Sequence, residues 1–244
     1  MNKALFPVVI LAGGLATRIR PLTETLPKAL LKINNEPFVS YQLKLLHARG
    51  IRDVIFCLGY LGEQIVDYVG DGSQFGLNVK YVFDGSILLG TAGAIKKALP
   101  LLGDCFFVLN GDSYLPCDYS QVQETFVHSQ KKALMTVFYN QGKWDTSNVE
   151  FANHAIVAYD KIQRTPRMLH IDYGLEIFTQ AAFDAVPNDQ PCDLVPVYQA
   201  LLQNEQLAAH EVKERFYENG SFTGITELEY YLNRDVVANP CSLE

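Results

Sequence analysis

The chain opens with an apolar run that leads directly into a glycine pair, and residues 7–22 read PVVILAGGLATRIRPL. The aliphatic residues of Pro7–Leu11 predict a buried strand, and the glycines at 13–14 mark the loop that follows it. Glycines let a backbone approach a ligand closely, and successive N–H groups in such a loop can bind phosphate oxygens. Three cations lie on or near this loop: Arg18, Arg20 and Lys28. The segment predicts a phosphate-binding loop, although a tight turn with solvated arginines has the same composition.

The first half of the chain alternates strand-like and helix-like segments. This alternation predicts parallel strands joined by right-handed crossovers. The further strands are predicted over Asp53–Leu58, Val79–Phe83 and Cys105–Leu109, and the helices over Phe38–Arg49, Leu61–Val69 and Thr91–Leu99. Ligands bind beyond the carboxyl ends of such strands. Residues 12–20 and 110–113 lie at two of those ends, so we expect both loops to form one cleft.

The second half of the chain is richer in strand-like segments. Four strands are predicted over Leu134–Tyr139, Val149–Phe151, Ala155–Tyr159 and Leu169–Phe178, and two helices over Pro191–Asn204 and Thr226–Asn233. Asn153 and His154 predict a hairpin turn between the second and third of these strands. No repeat or linker interrupts the sequence. We therefore expect an α/β fold in one domain over residues 1–244, with a β-rich extension in its second half.

Composition excludes several classes of protein. The 244 residues include 48% hydrophobic residues and carry a net charge of −7, which is typical of a soluble globular protein and not of a nucleic-acid or anionic-membrane binder. The five cysteines form no CxxC pair, so a zinc site or a disulfide framework is not expected. The first apolar run is too short for a signal peptide or a membrane span. These features predict a cytoplasmic protein that binds neither nucleic acid nor membranes.

The sequence lacks two well-known motifs of nucleotide-binding loops, but it contains a carboxylate placed where a metal ligand is often found. The loop contains neither GxxxxGK[ST] nor GxGxxG, so a P-loop and a nicotinamide dinucleotide site both lose their support. Asp112 follows an apolar strand in the sequence LNGDS. A carboxylate at a strand end is a suitable ligand for Mg²⁺, although Asp is also common in turns.

The segment LAGGLATRIRPLTETLPKAL, residues 11–30, closely resembles LAGGxGTRxxPLTxxxPKxL, the signature of sugar-1-phosphate nucleotidyltransferases. The NGD turn at 110–112 and the LGTAG segment at 89–93 extend the resemblance over most of the chain. It is similar above all to short members: heptose- and mannose-1-phosphate guanylyltransferases and glucose-1-phosphate thymidylyltransferases. The family implies a Rossmann-like, doubly wound three-layer sandwich with a mixed, mostly parallel sheet. It also implies transfer of a nucleotidyl group from an NTP to a sugar 1-phosphate, with Mg²⁺ as cofactor and pyrophosphate as the second product.

The resemblance assigns roles in the nucleotide half, at about residues 1–115. The implied catalytic residues are Arg18, Lys28 and Asp112. The implied nucleotide-binding residues are Leu11, Ala12, Gly13, Gly14, Thr17, Gly90, Thr91 and Ala92. The metal ligands would be Asp112 and Glu218, where Glu218 stands in place of the Asp of the family's late W-x-D-x-G segment. Ala16 also departs from the signature, because many members have glycine there.

The sugar half, at about residues 116–235, departs further from the family pattern. The implied sugar-phosphate ligands are Asn110, Asn148, Asp160, Lys161, Asp172 and Gly174. Asn148 replaces a glycine, and the Asp172–Gly174 segment replaces Asn-Ala-Gly, so the sugar identity stays open. Guanylyl transfer to a heptose or mannose 1-phosphate is the favoured interpretation. Thymidylyl, uridylyl or cytidylyl transfer and a catalytically weak binding protein are the alternatives, and a homo-oligomer is compatible with the family.

Overall fold

A computed structural model describes residues 4–14 and 19–238 of the chain. Its strands are β1 (Val8–Ala12), β2 (Lys32–Ile33), β3 (Glu36–Pro37), β4 (Asp53–Leu58), β5 (Asn78–Phe83), β6 (Cys105–Asn110), β7 (Ser113–Tyr114), β8 (Ala133–Tyr139), β9 (Val149–Ala152), β10 (Ala155–Tyr159), β11 (His170–Thr179), β12 (Leu207–Val212) and β13 (Tyr217–Glu218). Its α-helices are α1 (Phe38–Ala48), α2 (Gly62–Val69), α3 (Gly90–Ala98), α4 (Tyr119–Ser129), α5 (Leu194–Gln203) and α6 (Phe222–Ala238).

The main sheet has nine strands within these described residues and begins from a parallel core. β1 lies between β4 and β6 and pairs with both in parallel, so that Val9 faces Ile55 on one side and Val108 on the other. β5 adds to β4, again in parallel. Apart from their end residues, β1, β4 and β6 are apolar on both faces, as parallel strands covered by crossover helices must be, whereas the edge strand β5 exposes Asn78 and Lys80. The predicted alternation of parallel strands and helices is confirmed.

β11 extends the sheet from the parallel core into the second half of the chain. It pairs antiparallel with β6, with Leu175 opposite Leu109, and antiparallel with β8. β12 joins β8 in parallel, and the β9–β10 hairpin completes the sheet. Only β10 and β11 of these nine described strands run against the others. The sheet is therefore mixed and mostly parallel, as expected.

Helices cover both faces of the sheet. On one face, Phe56 and Phe107 pack against α1, α2 and α4. On the other face, Ile55 and Phe106 pack against α3 and α5. A smaller cluster around Phe38 places α6 beside α1 and β7. The arrangement is the predicted three-layer sandwich, and it leaves the carboxyl ends of β1 and β6 open between the helices.

Several predicted boundaries need correction. α5 begins at Leu194, because the preceding residues are bound to the start of α3 and cannot continue the helix: the Cys192 N–H donates to Leu89 O (2.8 Å). α6 begins at Phe222 rather than Thr226. The sequence patterns predicted neither α4 nor β12. α4 nevertheless has a clear N-cap, since the Asp118 carboxylate accepts from the N–H groups of Ser120 and Gln121.

The described cysteines are all free thiols. Four thiols, those of Cys57, Cys105, Cys117 and Cys192, are free in the described part of the chain. Burial raises the pKa of Cys57 and of Cys117 to about 12, so both thiols stay protonated near neutral pH. Among residues 4–14 and 19–238, no helix is both long and apolar enough to cross a membrane.

Candidate active site

A cavity of about 420 Å³ opens at the carboxyl ends of β1 and β6. Its walls include the predicted glycine loop, the start of α3 and the NGD turn. Among the described residues, seventeen line it: Leu11, Ala12, Gly13, Gly14, Pro27, Lys28, Ala29, Cys57, Asp84, Leu88, Gly90, Thr91, Ala94, Asn110, Gly111, Asp112 and Asp193. Residues 12–14 and 110–112, the parts of the two expected loops that appear in this lining, therefore share one cleft.

The NGD turn lies against the end of β1 because it contains a glycine. Gly111 donates its N–H to Leu11 O at 2.9 Å. A Cβ atom on Gly111 would come within 2.8 Å of Ala12 Cβ, which is closer than two such carbons can pack. A glycine at position 111 thus allows the glycine loop and Asp112 to share one cavity.

Lys28 and Asp112 form the charged centre of the cavity. Lys28 Nζ lies 2.8 Å from Asp112 Oδ2, and their side chains are only 17% and 26% exposed. Lys28 is held by a short 3-10 helix, Lys28–Leu30, whose backbone is tied to the late strand β13 by a bond from Asn219 Nδ2 to Lys28 O (2.9 Å). The ion pair therefore joins two segments that the resemblance implied to be catalytic.

Glu218 lies beside this ion pair, and Gly220 marks the place where the three groups meet. β13 pairs with β7, which puts Glu218 opposite Ser113. A Cβ atom on Gly220 would lie 2.7 Å from Glu218 Oε2, 3.0 Å from Lys28 Nζ and 3.2 Å from Asp112 Oδ2. A side chain would fill that space, so the glycine leaves a small cradle between two carboxylates and an ammonium group.

The donor set of this cradle fits Mg²⁺. Carboxylate oxygens are the protein ligands that Mg²⁺ prefers, and it usually takes only one or two of them and completes its shell with water and phosphate oxygens. Asp112 and Glu218 supply two carboxylates here. No cluster of three or more potential metal-binding side chains occurs in the described ranges 4–14 and 19–238. Glu218 also caps the start of α6, since it accepts from the Gly220 N–H and from Ser221 Oγ.

The start of α3 fits only part of the nucleotide-binding role implied for Gly90, Thr91 and Ala92. Gly90 and Thr91 line the cavity, but Ala92 is fully buried and does not. The N–H groups of Ala92 and Gly93 both donate to Cys192 O, at 2.9 and 3.1 Å. These two donors are thus occupied by the protein's own backbone. The prediction that Ala92 contacts the nucleotide is not supported by this placement.

Four of the predicted sugar ligands form a chain of contacts beside the cavity. Asn148 Oδ1 accepts from the Asp172 N–H (2.9 Å), and Asp172 Oδ1 accepts from the Gly174 N–H (3.1 Å). A Cβ atom on Gly174 would lie 3.9 Å from Asn110 Nδ2, and Asn110 lines the cavity. The four residues lead from the cavity wall at Asn110 to the Asp172–Gly174 segment of β11.

Asp160 and Lys161 are less closely placed. Asp160 Oδ1 accepts from the N–H groups of Ile162 (2.7 Å) and Gln163 (2.8 Å), so its carboxylate stabilises its own turn. These two bonds lower the pKa of Asp160. Lys161 is exposed, and its charge acts on the buried carboxyl group of Glu176. The predicted residues Thr17 and Arg18, like Ala16, lie outside the described residues.

Two acidic residues at the site were missed in the sequence. Asp84 follows β5 at the same edge of the sheet as Asp112, lines the cavity and is 8% exposed. Its position at a strand end was the available signal. Asp84 Oδ2 accepts from the Leu89 N–H (3.1 Å), and burial raises the pKa of Asp84. Glu176 is buried beside Asp172. Burial, and then the charge of Asp172, raise the pKa of Glu176 well above its ordinary value.

Comparison with known proteins places this cavity in a family. A family model described as nucleotidyl transferase matches residues 7–148. The UTP–glucose-1-phosphate uridylyltransferase of Synechocystis sp. is 30% identical over 204 residues, which are 76% of this chain and 52% of that protein. The D-glycero-alpha-D-manno-heptose 1-phosphate guanylyltransferase of Campylobacter jejuni is 30% identical over 177 residues, which are 72% of this chain and 77% of that protein.

A solved structure extends the comparison to the fold. HddC from Yersinia pseudotuberculosis, complexed with GMP-PN, matches with a TM-score of 0.78 at 22% identity and covers 93% of this chain and 100% of that one. The chain spans about half the length of the Synechocystis relative and about three quarters of the Campylobacter relative. The signature in residues 11–30, the sheet and the family match agree, and the chain belongs to the nucleotidyl transferase family.

Proposed function

We propose that the protein transfers a nucleotidyl group from an NTP to a sugar 1-phosphate and releases pyrophosphate. The observation that carries the proposal is the meeting of Lys28, Asp112 and Glu218 around Gly220, at the edge of a cavity walled by the glycine loop. One cation and two carboxylates beside a loop of this kind suit a reaction between two phosphorylated substrates. The family matches support the same reaction class.

The reaction joins two anions, so the site must neutralise charge. A phosphate oxygen of the sugar 1-phosphate attacks the α-phosphorus of the NTP and forms a new P–O bond. The bond from the α-phosphorus to the oxygen that bridges to the β-phosphorus breaks, and pyrophosphate leaves with that electron pair. Catalysis of such steps is mostly positioning and electrostatic stabilisation. Lys28 suits this role because an ammonium group is a compact charge that several phosphate oxygens can share.

Asp112 and Glu218 would hold the magnesium ion of this reaction. When bound, Mg²⁺ offsets negative charge on the NTP phosphates and orients them. Lys28 Nζ pairs with Asp112 Oδ2, which offsets the charge of this carboxylate at the cavity wall. Asn219 helps to fix this arrangement, because its N–H donates to Asp112 O at 3.0 Å while its side chain binds Lys28 O.

For the base, we propose guanine. Asp84 presents a carboxylate on the cavity wall. A carboxylate accepts hydrogen bonds only, and guanine offers two adjacent donors, N1–H and N2–H₂, on its pairing edge, whereas uracil and thymine offer one. The guanylyltransferase relative from Campylobacter jejuni supports the same base and a heptose 1-phosphate as acceptor. The uridylyltransferase from Synechocystis supports the alternative base.

The test is a grid of reactions that measures pyrophosphate release with Mg²⁺. GTP, dTTP, UTP, CTP and ATP are each combined with heptose, mannose, glucose and N-acetylhexosamine 1-phosphates. The expected result is turnover with GTP and with heptose or mannose 1-phosphate. Turnover with UTP alone would overturn the guanine proposal and keep the reaction class. A grid with no turnover, in which each NTP nevertheless raises the melting temperature, would indicate a nucleotide-binding protein without catalysis.

A further inference from the structure

A buried glutamine on α1 lies beneath the turn that carries Asp112. Gln42 is 2% exposed, and neither it nor any other residue of its helix is among the described residues that line the cavity. Its Nε2 donates to Asn110 O at 3.0 Å and to Ser113 O at 2.8 Å. These two carbonyls bracket Asp112, so one amide group binds both ends of the NGD turn.

The surroundings of Gln42 indicate that its two hydrogen bonds, and not its packing in the core, explain why a glutamine stands at this position. Its Oε1 is buried without a hydrogen-bond partner among the described residues. A buried acceptor left unpaired lowers stability, and an apolar residue of similar size would avoid that cost. A residue chosen only to fill this space between helix and sheet would thus not be a glutamine.

Other elements fix the same turn from different sides. Gly111 N–H binds Leu11 O of β1, and Asn219 N–H, next to β13, binds Asp112 O. Gln42 adds the tie from α1. The turn carries two groups with different proposed roles, because Asn110 continues toward the sugar contacts and Asp112 faces Lys28 and the cradle at Gly220.

We propose that Gln42 is a positioning residue for Asp112, and through Asp112 for the divalent cation. The inference rests on the proposed function, since it assigns Asp112 to the metal. Gln42 touches neither the cavity nor a substrate and acts through the turn. Partners that orient a metal ligand typically change metal affinity or activity by about 10- to 100-fold when they are replaced.

The chain contains a matched control for this proposal. Gln123, on α4, is 4% exposed and also makes two bonds to backbone: its Oε1 accepts from Phe6 N–H (2.8 Å), and its Nε2 donates to Ala4 O (3.1 Å). These bonds hold the segment that precedes β1, at the end of the sheet opposite the cavity. Loss of Gln123 removes the same number of side-chain bonds without touching the turn.

The experiment compares Gln42→Met and Gln123→Met with the native chain. Methionine is similar in length to glutamine and has no N–H donor. Mn²⁺ binding is measured by the electron paramagnetic resonance of free Mn²⁺, with melting temperature as the readout of structure and Mg²⁺ titration of pyrophosphate release as the readout of activity. We expect both variants to melt at a lower temperature. Only Gln42→Met should bind Mn²⁺ about tenfold more weakly and need about tenfold more Mg²⁺, with an unchanged KM for the NTP.

The results that would overturn the positioning role of Gln42 differ from those that would overturn the proposed function. Native-like Mn²⁺ affinity in folded Gln42→Met, or equal weakening in both variants, would overturn the positioning role and leave the proposed function standing. A native chain that neither binds Mn²⁺ nor releases pyrophosphate would overturn the proposed function, and the inference with it. Should Gln42→Met fail to fold, Gln42→Asn replaces it, because the shorter amide keeps its polarity but moves both donors away from the turn. The same weakened Mn²⁺ binding is expected from it, and native affinity would again overturn the inference.

Discussion

Lys28 and Asp112 are 84 positions apart in the chain, and their side chains meet at 2.8 Å on the wall of one cavity. Both side chains are shielded from most of the solvent, at 17% and 26% exposure, so the pair is part of the cavity and not of the solvated surface. The same Asp112 oxygen that binds Lys28 also lies beside the cradle at Gly220. Asp112 and Glu218 would hold a divalent cation at this cradle, and Lys28 beside them would offer its charge to phosphate oxygens.

Replacement of Lys28 by alanine should separate catalysis from folding. We expect Lys28→Ala to lower the rate of pyrophosphate release by about 10²- to 10³-fold, because a charge aimed at the reacting phosphates is lost. The variant should stay folded, with a lower melting temperature, because the part-buried carboxylate of Asp112 loses its partner. Lys44→Ala is the matched control: Lys44 pairs with Glu36 at 2.7 Å, with both side chains half exposed and outside the cavity lining. A rate equal to that of the control would remove Lys28 from the reaction.

A methyl group at position 220 should block the cradle. In Gly220→Ala the new Cβ would lie within 3.2 Å of three charged groups, Glu218, Lys28 and Asp112. We expect Mn²⁺ affinity to fall at least about tenfold, since the carboxylates must move apart to admit the methyl group. Gly103→Ala is the control, because nothing lies within 4 Å of a Cβ atom there. Retained Mn²⁺ binding in folded Gly220→Ala would place the metal elsewhere.

The carboxylate of Asp84 should determine which nucleotide base the protein prefers. In Asp84→Asn one acceptor oxygen becomes a donor, while the remaining oxygen can still accept from the Leu89 N–H. We expect kcat/KM for GTP to fall by about 10- to 100-fold relative to UTP, which is the usual contribution of hydrogen bonds to a charged group. Asp53→Asn, at the exposed start of β4, should leave the ratio unchanged. An unchanged ratio in Asp84→Asn as well would mean that another group reads the base.

The buried carboxyl group of Glu176 should make stability depend on pH. Its pKa is raised by folding, above the value of 4.5 in the unfolded chain, so the native state binds this proton more tightly. Glu176 therefore stabilises the fold at low pH and loses that contribution as pH rises from the unfolded toward the folded pKa. Each unit by which folding raises the pKa corresponds to about 1.4 kcal/mol.

Melting curves at several pH values test this dependence. The melting temperature of Glu176→Gln relative to the native chain should increase from pH 5 to pH 8, because glutamine cannot lose a proton. The exposed Glu63 provides the control variant Glu63→Gln, for which the difference should stay constant. The idea fails if Glu176→Gln also shows a constant difference across this range.

Much of the fold was predictable, because each strand and helix of its parallel core shows a local sequence pattern. The apolar runs of β1, β4 and β6 and the helices between them follow the sequence closely, and Asn153 and His154 do form a turn with positive φ. β12 was missed since its pairing partner β8 lies far along the chain. The start of α5 depended on hydrogen bonds to α3, which no local pattern reveals.

The site was only partly predictable for a similar reason. Lys28 and Asp112 stand in motifs, and the structure brings them together. Asp84 has a place at a strand end but no motif, and Gln42 has neither, because its role depends on a contact between α1 and a turn. Ala92 stands in a motif, but its N–H is already bound to Cys192. A motif indicates which residues approach a ligand, and the tertiary contacts decide which of their atoms stay available.

The placement of β11 between β6 and β8 limits how substrate specificity can be re-engineered by recombination. A chimera that joined this nucleotide half to the sugar half of a relative would have its crossover point inside a continuous sheet. The pairing of Leu175 with Leu109 would have to survive the junction. A slip of one residue would turn Asp172 and Glu176 to the opposite face of the sheet, so the graft would keep its sequence and lose the sugar contacts proposed for Asp172.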